Sequence, residues 1–359
     1  MYGLQGGCMG RKMLLQKVVL YGILIMIVTS FFGCRRKVET KMEEEKEDKI
    51  VVGLSLGTLM EDRWIRDRDI FMSKAGQAGI DVIVNNANKD SELQYEQVQK
   101  MLEQGIDVLV IAPNDSESEI KCVKAAKEKK VPVISYDRLV SNADADVYIS
   151  FDNYQVGVIM ASYLAEKVPK GGYMIVSGAK NDSNSKMIHD GAMSVLQPYI
   201  DRGDIELLAE TWVEGWTRET AYNFVSEQIG TYGEQIKAII CGNDSLAWGT
   251  IDALSEAQMA EQVQVAGQDA DLVACQRIVT GKQALTVYKP IRNLVEKTVE
   301  LCLTLVKGDK IESDTTIYDG TYDIPYIVIE VKAVTKDNID DTVIKDGFHL
   351  YEDVYQAED

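Results

Sequence analysis

Two apolar, strand-like runs between residues 131 and 153 each end in polar residues. The first run, "VPVISY", leads into Asp137 and Arg138, and the second, "DVYISF", leads into Asp152 and Asn153. Carboxylate, amide and guanidinium groups can bond the hydroxyl groups of a ligand, because they supply fixed acceptors and donors. The alternative is that these residues belong to solvated loops.

The same pattern recurs at the ends of other strand-like runs along the chain. Each residue by itself has an ordinary structural explanation, because Asn and Asp at strand ends usually cap the next helix and a single Trp is more often part of a core. The residues in question are Arg63, Trp64, Asp182, Asn184, His189, Trp212, Trp216, Asn243, Asp244, Gln268, Asp269, Asp271 and Lys289. Together with Asp137 and Arg138 they come from seven strand ends, and a set of that size predicts one ligand site.

This mixture of planar polar groups and Trp side chains is typical of a site for a neutral sugar. Sugar hydroxyls both donate and accept hydrogen bonds, and the C–H faces of a sugar ring pack flat on indole rings. The charges of the set also balance, because there are three cations and three carboxylates. These are Arg63, Arg138 and Lys289 on one side and Asp137, Asp182 and Asp269 on the other. A site without net charge favours a neutral ligand over a phosphate or a carboxylate.

The elements that must position these residues alternate between short apolar runs and longer amphipathic ones. The segment 91–105, for example, places Tyr95, Val98 and Met101 on one helical face and ends at Gly105. Such alternation predicts an α/β fold with doubly wound parallel sheets, whose ligands bind beyond the carboxyl ends of the strands. About ten strands are too many for one compact sheet, so we expect two lobes. The predicted strands are 50–56, 81–87, 107–113, 131–137, 146–152, 172–178, 205–211, 237–244, 263–269 and 284–289.

The first 34 residues differ from the rest of the chain. Three basic residues precede an apolar run at 18–33 that stops at Cys34. This order predicts an export signal, and the Cys at its end predicts a lipoprotein that is cleaved and lipidated at that residue. The alternative is an uncleaved membrane anchor, because about 18 apolar residues suffice to span a bilayer. Both interpretations place the rest of the chain outside the cytoplasm, tethered to the outer face of the membrane.

Charge and motifs exclude several classes of function. Residues 35–49, "RRKVETKMEEEKEDK", are almost all polar or charged and predict a disordered tether. The formal net charge of −19 argues against a nucleic-acid partner, because phosphates require a basic surface. A sugar-sensing repressor would need a basic helix-turn-helix where this chain has its export segment. The phosphate-binding glycine motifs are absent from the sequence, so no nucleotide cofactor is expected.

Catalysis and metal binding are not expected either. The chain has only two histidines, His189 and His349, and no nucleophile-elbow motif. The cationic neighbours would keep the carboxylates ionised, so neither member of a pair could act as the general acid of a glycosidase. Four widely spaced cysteines suit neither zinc nor a disulfide framework, and we interpret them as small buried apolar side chains, with one chance disulfide as the alternative. They are Cys122, Cys241, Cys275 and Cys302.

Several segments resemble bacterial periplasmic xylose-binding proteins, the substrate-binding components of ABC sugar importers with the type I periplasmic binding fold. In order, they are "DRWIRDRDIF", "GIDVLVIAP", "ISYDRLVSNADADVYISFDNYQVG", "WVEGW", "GQDADL", "LTVYKP" and "DTVIKDGFH". The resemblance implies that a pentose, D-xylose, is held between two α/β lobes. Carried over by position, the ligand contacts fall on Arg63, Asp137, Arg138, Asp182, Asn184, Asn243, Asp269 and Lys289, with stacking on Trp64 and Trp216.

The resemblance also assigns a role to three further residues. His189 stands where the family has an arginine in the cleft, so it is expected to contact the ligand as a shorter donor that titrates near neutral pH. Asp152 and Asn153 fall near a crossover between the lobes in the family and are expected to act in the hinge.

Three crossovers, near residues 153, 289 and 320, are expected to join the lobes. They divide the chain into an N-terminal lobe, 50–153 plus 290–320, and a C-terminal lobe, 154–289 plus 321–350. Closure of such a hinge over the sugar would create the surface that a partner recognises. The expected partner is an ABC permease. The alternative is the extracytoplasmic domain of a membrane histidine kinase that signals xylose, because one binding fold can serve either role.

Overall fold

The computed structural model describes residues 49–356, which form thirteen strands and ten α-helices. The predicted export segment and tether, up to residue 48, lie outside the described residues. Within the described range, no helix has both the length and the apolar character needed to cross a bilayer. The strands are β1 Val51–Leu56, β2 Asp81–Asn86, β3 Val108–Ala112, β4 Val133–Tyr136, β5 Val147–Phe151, β6 Gly171–Ser177, β7 Ile205–Trp212, β8 Ile236–Cys241, β9 Gln264–Gln268, β10 Leu285–Tyr288, β11 Thr315–Tyr318, β12 Asp323–Ile329 and β13 Lys332–Val334. The helices are α1 Asp62–Gln77, α2 Ser91–Glu103, α3 Ile120–Glu128, α4 Asn153–Lys167, α5 Ser183–Asp201, α6 Arg218–Tyr232, α7 Asp244–Glu256, α8 Leu272–Thr280, α9 Ile291–Val306 and α10 Tyr351–Tyr355.

The first lobe is built on a seven-stranded sheet in the order β11-β12-β5-β4-β3-β1-β2. Its neighbouring strands are parallel except for the β11–β12 pair at one edge. Successive side chains of a strand point to opposite faces, and each face is covered. Helices α1 and α9 pack on one face, while α2 and α3 pack on the other. Burial on both faces explains why strands such as β3 are continuous Val, Leu and Ile runs.

The second lobe repeats this arrangement with six strands in the order β13-β10-β9-β8-β6-β7. All neighbours are parallel except β10 and β13. Helices α4 and α5 cover one face of the sheet, and α6 and α7 cover the other. The expected α/β fold with two doubly wound lobes is therefore confirmed.

The chain passes between the lobes three times. It crosses after β5, where α4 begins at Asn153, and again near residue 289, after β10. The third crossing lies at residues 330–331, between β12 and β13. The sequence-based prediction of a crossing near 320 is wrong, because β12 pairs in parallel with β5 and so places residues 323–329 in the first lobe.

The four cysteines of the described chain are free and fully buried. They pack in the apolar cores on both sides of the cleft, for example Cys122 in the first lobe and Cys241 in the second. Burial raises the pKa of both thiols to about 12, so neither is a reactive thiolate at neutral pH. Their interpretation as small apolar side chains is confirmed.

Candidate functional site

A cleft lies between the lobes, at the carboxyl ends of strands from both sheets. Its empty space is about 380 Å³. Its walls are Glu61, Arg63, Trp64, Asp137, Arg138, Asp182, Asn184, Trp216, Asn243, Gln268, Asp269 and Lys289. Every one of these residues is polar, charged or aromatic, so the cleft suits a ligand with many hydrogen-bonding groups.

Arg63 lies in the first turn of α1 and is held by buried acids. Its Nη2 lies 2.9 Å from Asp137 Oδ1 and 3.3 Å from Asp67 Oδ1. The Tyr136 hydroxyl donates a hydrogen bond to Asp67, which closes a ring of contacts between α1 and the end of β4. All four side chains are buried. Charge-assisted bonds of this kind are strong and directional, so the protein itself sets the orientation of the guanidinium.

Asp137 directly follows β4 with a backbone φ of +61°. Its N–H donates to the Ile149 carbonyl at 2.8 Å, and Asp tolerates this left-handed conformation better than most residues. Burial alone would raise the pKa of its carboxyl group, but Arg63, Lys289 and Arg138 outweigh that effect and lower the pKa below its ordinary value. Asp137 is therefore an ionised acceptor at neutral pH.

The start of α5 reaches across the cleft from the second lobe. Asp182 caps the helix by accepting the Asn184 N–H at 2.9 Å, and its other oxygen lies 2.8 Å from Arg138 Nε. The Asn184 amide donates to the Asp137 backbone carbonyl at 3.0 Å and to its Oδ2 at 3.1 Å. A helix cap therefore positions both residues, and their contacts join the two lobes.

The second lobe and the second crossover supply the remaining polar groups. Asp269 follows β9 with a φ of +94°, and Lys289 Nζ lies 3.5 Å from its Oδ1. Asn243 caps α7 by accepting the Leu246 N–H at 2.9 Å. In residues 49–356, no group of three or more acidic, Cys or His side chains is arranged to hold a metal ion.

The two tryptophans of the cleft are held in different ways. Trp64 is buried, and the guanidinium carbons of Arg63 and Arg138 lie 4.2 and 5.1 Å from its ring centroid. Trp216 instead packs against bare backbone, since a Cβ added to Gly178 would lie 2.1 Å from its ring. A side chain at that position would collide with the indole, so the close approach requires glycine.

Besides Asp137 Oδ1, which lies in ion-pair contact with Arg63 at 2.9 Å, three buried polar atoms of the cleft wall have no hydrogen-bond partner within the described chain: Trp216 Nε1, Gln268 Oε1 and Glu61 Oε2. The Gln268 amide nitrogen donates to the Gly242 carbonyl at 2.6 Å, which directs its oxygen elsewhere. Unpaired polar atoms are costly to bury, so these three offer one donor and two acceptors to a bound ligand.

Comparisons with known proteins identify the family. Residues 52–310 match the family described as a periplasmic binding protein domain. The D-xylose-binding periplasmic protein of Escherichia coli is 40% identical over 301 residues, which cover 84% of this chain and 91% of that protein. The protein of the same name from Haemophilus influenzae is 40% identical over 304 residues, 85% of this chain and 92% of its own length. This chain belongs to the periplasmic binding protein family.

A solved structure has the architecture of this periplasmic binding protein. The ABC transporter solute-binding protein of Clostridium phytofermentans, with bound β-D-glucose, matches with a TM-score of 0.80 and 31% identity over 85% of this chain and 99% of its own. The resemblance and the type I fold expected from the sequence are thereby confirmed. The chain is an extracytoplasmic binding protein and not an enzyme.

The cleft of this periplasmic binding protein brings together ten of the eleven residues predicted to contact the ligand. The exception is His189, whose Nε2 lies 3.3 Å from a Glu210 carboxylate oxygen and whose ring packs on Trp212 with 5.1 Å between centroids. His189 is five residues beyond Asn184 on α5, a rotation of about 140° around the helix axis. That rotation points the imidazole towards β7 and away from the cleft.

Three residues at or behind the cleft were not among the contacts carried over from the resemblance, although Gln268 belongs to the strand-end set. Glu61 precedes α1 and lines the cleft, while Asp67 lies behind it and holds Arg63. The position of Asp67 relative to Arg63 was the available signal, because residues four apart meet on one helix face. Gln268 directly precedes Asp269 and shares the polar end of β9.

Asp152 and Asn153 lie at the first crossover, where the resemblance placed them. Asp152 caps α4 by accepting the Gln155 N–H at 2.9 Å, and its own N–H donates to the Ile329 carbonyl at 3.1 Å. Asn153 is fully buried and donates to the Ser150 hydroxyl at 3.1 Å. A backbone hydrogen bond therefore links the first crossover to the residue that precedes the third.

Proposed function

We propose that this protein binds D-xylose and presents it to an ABC importer. The observation that carries the proposal is a cleft in which acids, amides and cations from both lobes converge. Sugar hydroxyls can bond several such groups at once, because each hydroxyl donates and accepts. The two relatives that are 40% identical and named for D-xylose support the choice of sugar.

The pairing of charges in the cleft supports a neutral ligand. Each lining cation has a carboxylate within salt-bridge distance, so none is left to attract an anionic ligand. The pairs are Arg63 with Asp137 at 2.9 Å, Arg138 with Asp182 at 2.8 Å and Lys289 with Asp269 at 3.5 Å. The fourth lining acid, Glu61, lies 3.5 Å from Lys89.

Binding would operate by closure of the lobes about the three crossovers. The Asn184–Asp137 and Arg138–Asp182 contacts join opposite lobes and are lost when the lobes separate. A sugar that bonds both sides at once favours the closed form, because it has more partners there than in the open form. Asp152 and Asn153 are the proposed hinge residues of this motion.

Calorimetric titration of the purified full-length protein with D-xylose, D-glucose, D-ribose and L-arabinose tests the ligand. We expect xylose to bind at least about tenfold more tightly than the other three, a difference of about 1.4 kcal/mol. Tighter binding of glucose would change the assignment to a hexose, and no binding of any of the four would end the sugar proposal.

As a control for the site, Asp269→Ala should abolish binding while the protein stays folded, because Lys289 loses its acceptor.

The proposed partner is a membrane permease that recognises the closed form. Deletion of the gene should then lower the uptake of labelled xylose, and restoring the wild-type gene should recover it. Unchanged uptake together with loss of xylose-dependent phosphorylation of a membrane histidine kinase would replace the importer by a sensor.

We also propose that the protein is tethered through a lipid on Cys34, which lies outside the described residues. The support is the basic and apolar sequence that precedes this cysteine. Mass spectrometry of the membrane-bound protein should find a diacylated N-terminal Cys34, and Cys34→Ala should prevent that modification. A membrane-bound chain that still begins with its apolar segment would replace the lipid by a protein anchor.

A further inference from the structure

A second cavity adjoins the cleft between the lobes, and we call it the outer chamber. It holds about 550 Å³ and shares the wall residues Glu61, Arg138, Asp182 and Trp216 with the cleft. The rest of its lining includes Thr58, Lys89 and Asn114 from the first lobe and Ala179, Asn181 and Glu214 from the second. Because the two cavities share these four wall residues, they are neighbouring compartments.

Contacts between the lobes border the outer chamber. Lys89 Nζ donates to the Gly215 carbonyl at 3.0 Å, and Asn181 Nδ2 donates to Asp115 Oδ2 at 2.5 Å. Each bond joins a residue of the first lobe to one of the second. Closure of the lobes therefore forms the outer chamber as well as the cleft, and a ligand in either compartment would be held by both lobes.

The wall between the two compartments is polar and partly unpaired. Arg138 and Asp182 bond each other across it at 2.8 Å. Glu61 directs one oxygen to Lys89 at 3.5 Å, but its Oε2 is buried without a partner, as is Trp216 Nε1. One acceptor and one donor therefore remain at the junction, which is the combination that a hydroxyl group can satisfy.

We propose that this protein takes a disaccharide of two pentoses, with one ring in the cleft and the second ring in the outer chamber. The proposal rests on the proposed sugar-binding function and adds the size of the ligand. The outer chamber is the larger of the two compartments, so it has room for a ring of the size that fits in the cleft. A disaccharide would pass the junction and bring its hydroxyls to the Glu61 oxygen and the Trp216 nitrogen.

The charges of the outer chamber favour a neutral second ring over a uronic acid. Its two lining cations are already engaged, Lys89 by Glu61 and Arg138 by Asp182. Glu214 adds a further carboxylate to the same wall and accepts the Lys180 backbone N–H at 3.4 Å. An acidic sugar would meet this carboxylate without a cation left to pair with it.

Titration of the purified full-length protein with D-xylose and with xylobiose, the disaccharide of xylose, tests the proposal. We expect the dissociation constant of xylobiose to lie within about tenfold of that of xylose. Binding of xylose but not of xylobiose would overturn the second compartment and leave the proposed function intact. Failure of both sugars to bind would overturn the proposed function itself.

Ala179→Leu fills the outer chamber from a position that does not line the cleft. We expect the affinity for xylobiose to fall at least about tenfold and that for xylose to stay within about threefold. Lys180→Leu is the matched control, because it places the same side chain on an exposed neighbour outside both compartments and should leave both affinities unchanged. An unchanged ratio of the two affinities in Ala179→Leu would contradict the proposal. If that variant does not fold, the wild-type titration decides.

Discussion

Asp137 and Asp269 occupy equivalent places in the two lobes. Each directly follows a parallel strand, β4 or β9, and each has a positive φ, +61° or +94°. Each backbone N–H donates to a carbonyl of the next strand in its sheet, that of Ile149 at 2.8 Å or that of Val287 at 2.9 Å. The same backbone geometry thus presents one carboxylate to the cleft from either side.

The charges around these two carboxylates differ. Asp137 lies among cations that lower its pKa despite burial. Asp269 has Lys289 in front of it, but Asp244 and Asp271 lie close by in the same lobe. Burial and the mutual repulsion of these acids raise the pKa of Asp244 and of Asp271. The first lobe therefore surrounds its ligand acid with cations, whereas the second lobe places it beside a cluster of acids.

The lobes also hold their ligand residues by different means, and this difference can be tested. In the first lobe, buried side chains hold one another, as Asp67 and Asp137 hold Arg63. In the second lobe, the starts of helices hold Asp182 and Asn243 through caps. Substitutions in the first lobe should therefore damage folding and binding together, whereas the second lobe should allow the two effects to be separated.

The largest effect is expected for Arg63→Met. It removes the cation that the buried Asp67 and Asp137 share, and breaking such a buried pair costs roughly 3–5 kcal/mol. We expect chemical denaturation to show this loss in the free energy of unfolding and calorimetry to show no sugar binding. The matched control is Arg68→Met on the same helix, where the partly exposed arginine pairs with Asp69, and its free energy of unfolding should stay close to that of the wild type. Equal stability of the two variants would contradict the idea that side chains of the first lobe hold one another.

A pair of substitutions at Asp182 should separate cap from ligand contact. Asp182→Ala removes both and should lower the free energy of unfolding by about 1 kcal/mol. Asp182→Asn keeps an oxygen that can accept the Asn184 N–H, so it should lose less stability than Asp182→Ala, while both variants lose the ion pair with Arg138. Both should weaken sugar binding at least about tenfold, because Arg138 loses its carboxylate partner. Wild-type affinity in Asp182→Asn would remove this residue from the proposed ligand set.

A smaller effect, on how stability depends on pH, is expected from the acid cluster of the second lobe, which consists of Asp244, Asp269 and Asp271. Burial and the neighbouring Asp269 raise the pKa of Asp271 to about 7, whereas an unfolded Asp titrates near 3.9. Between these values the folded state binds more protons than the unfolded state, so stability increases as the pH falls through this window. We expect the melting temperature to rise from about pH 8 to about pH 6 and Asp271→Asn to reduce that rise. If the melting temperature instead falls between about pH 8 and about pH 6, by the same amount in the wild type and in Asp271→Asn, this assignment is refuted.

The smallest effect is expected for His189→Ala. The imidazole pairs with Glu210 and packs on Trp212, outside the cleft, so the affinity for sugar should change less than about twofold. Asn184→Ala on the same helix is the comparison, because its amide bonds Asp137 across the cleft and its loss should weaken binding clearly. A strong loss of affinity in His189→Ala, with normal stability, would restore His189 to the ligand site.

The strands could be predicted where their burial produces a recognisable run of apolar residues in the sequence. Each of β1 to β10 overlaps a predicted run, because Val and Ile runs covered on both faces stand out from their neighbours. β11, β12 and β13 were not predicted. They are short or partly exposed, and β12 contains Pro325 and joins the sheet by pairing with the distant strand β5. The third crossover was misplaced for the same reason, since pairing between distant segments leaves no pattern in either one.

The residues of the cleft could be predicted to the extent that they end strands or begin helices. Asp137 and Asp269 directly follow apolar runs, Asp182 begins a helix, and the carboxyl ends of parallel strands meet at one edge. Asp67 and Gly178 do not show this pattern. Asp67 lies inside helix α1 and contacts Arg63, whereas Gly178 has no side chain and leaves room for the Trp216 ring.

The sequence by itself therefore determined the α/β class, the positions of ten strands and a balanced set of charged side chains. These features depend on residue type and on order along the chain. Only the tertiary structure decided that β12 belongs to the first lobe, that His189 turns away from the cleft and that an outer chamber adjoins it. The physical reason is that these features depend on the direction of side chains and on contacts between segments far apart in the sequence.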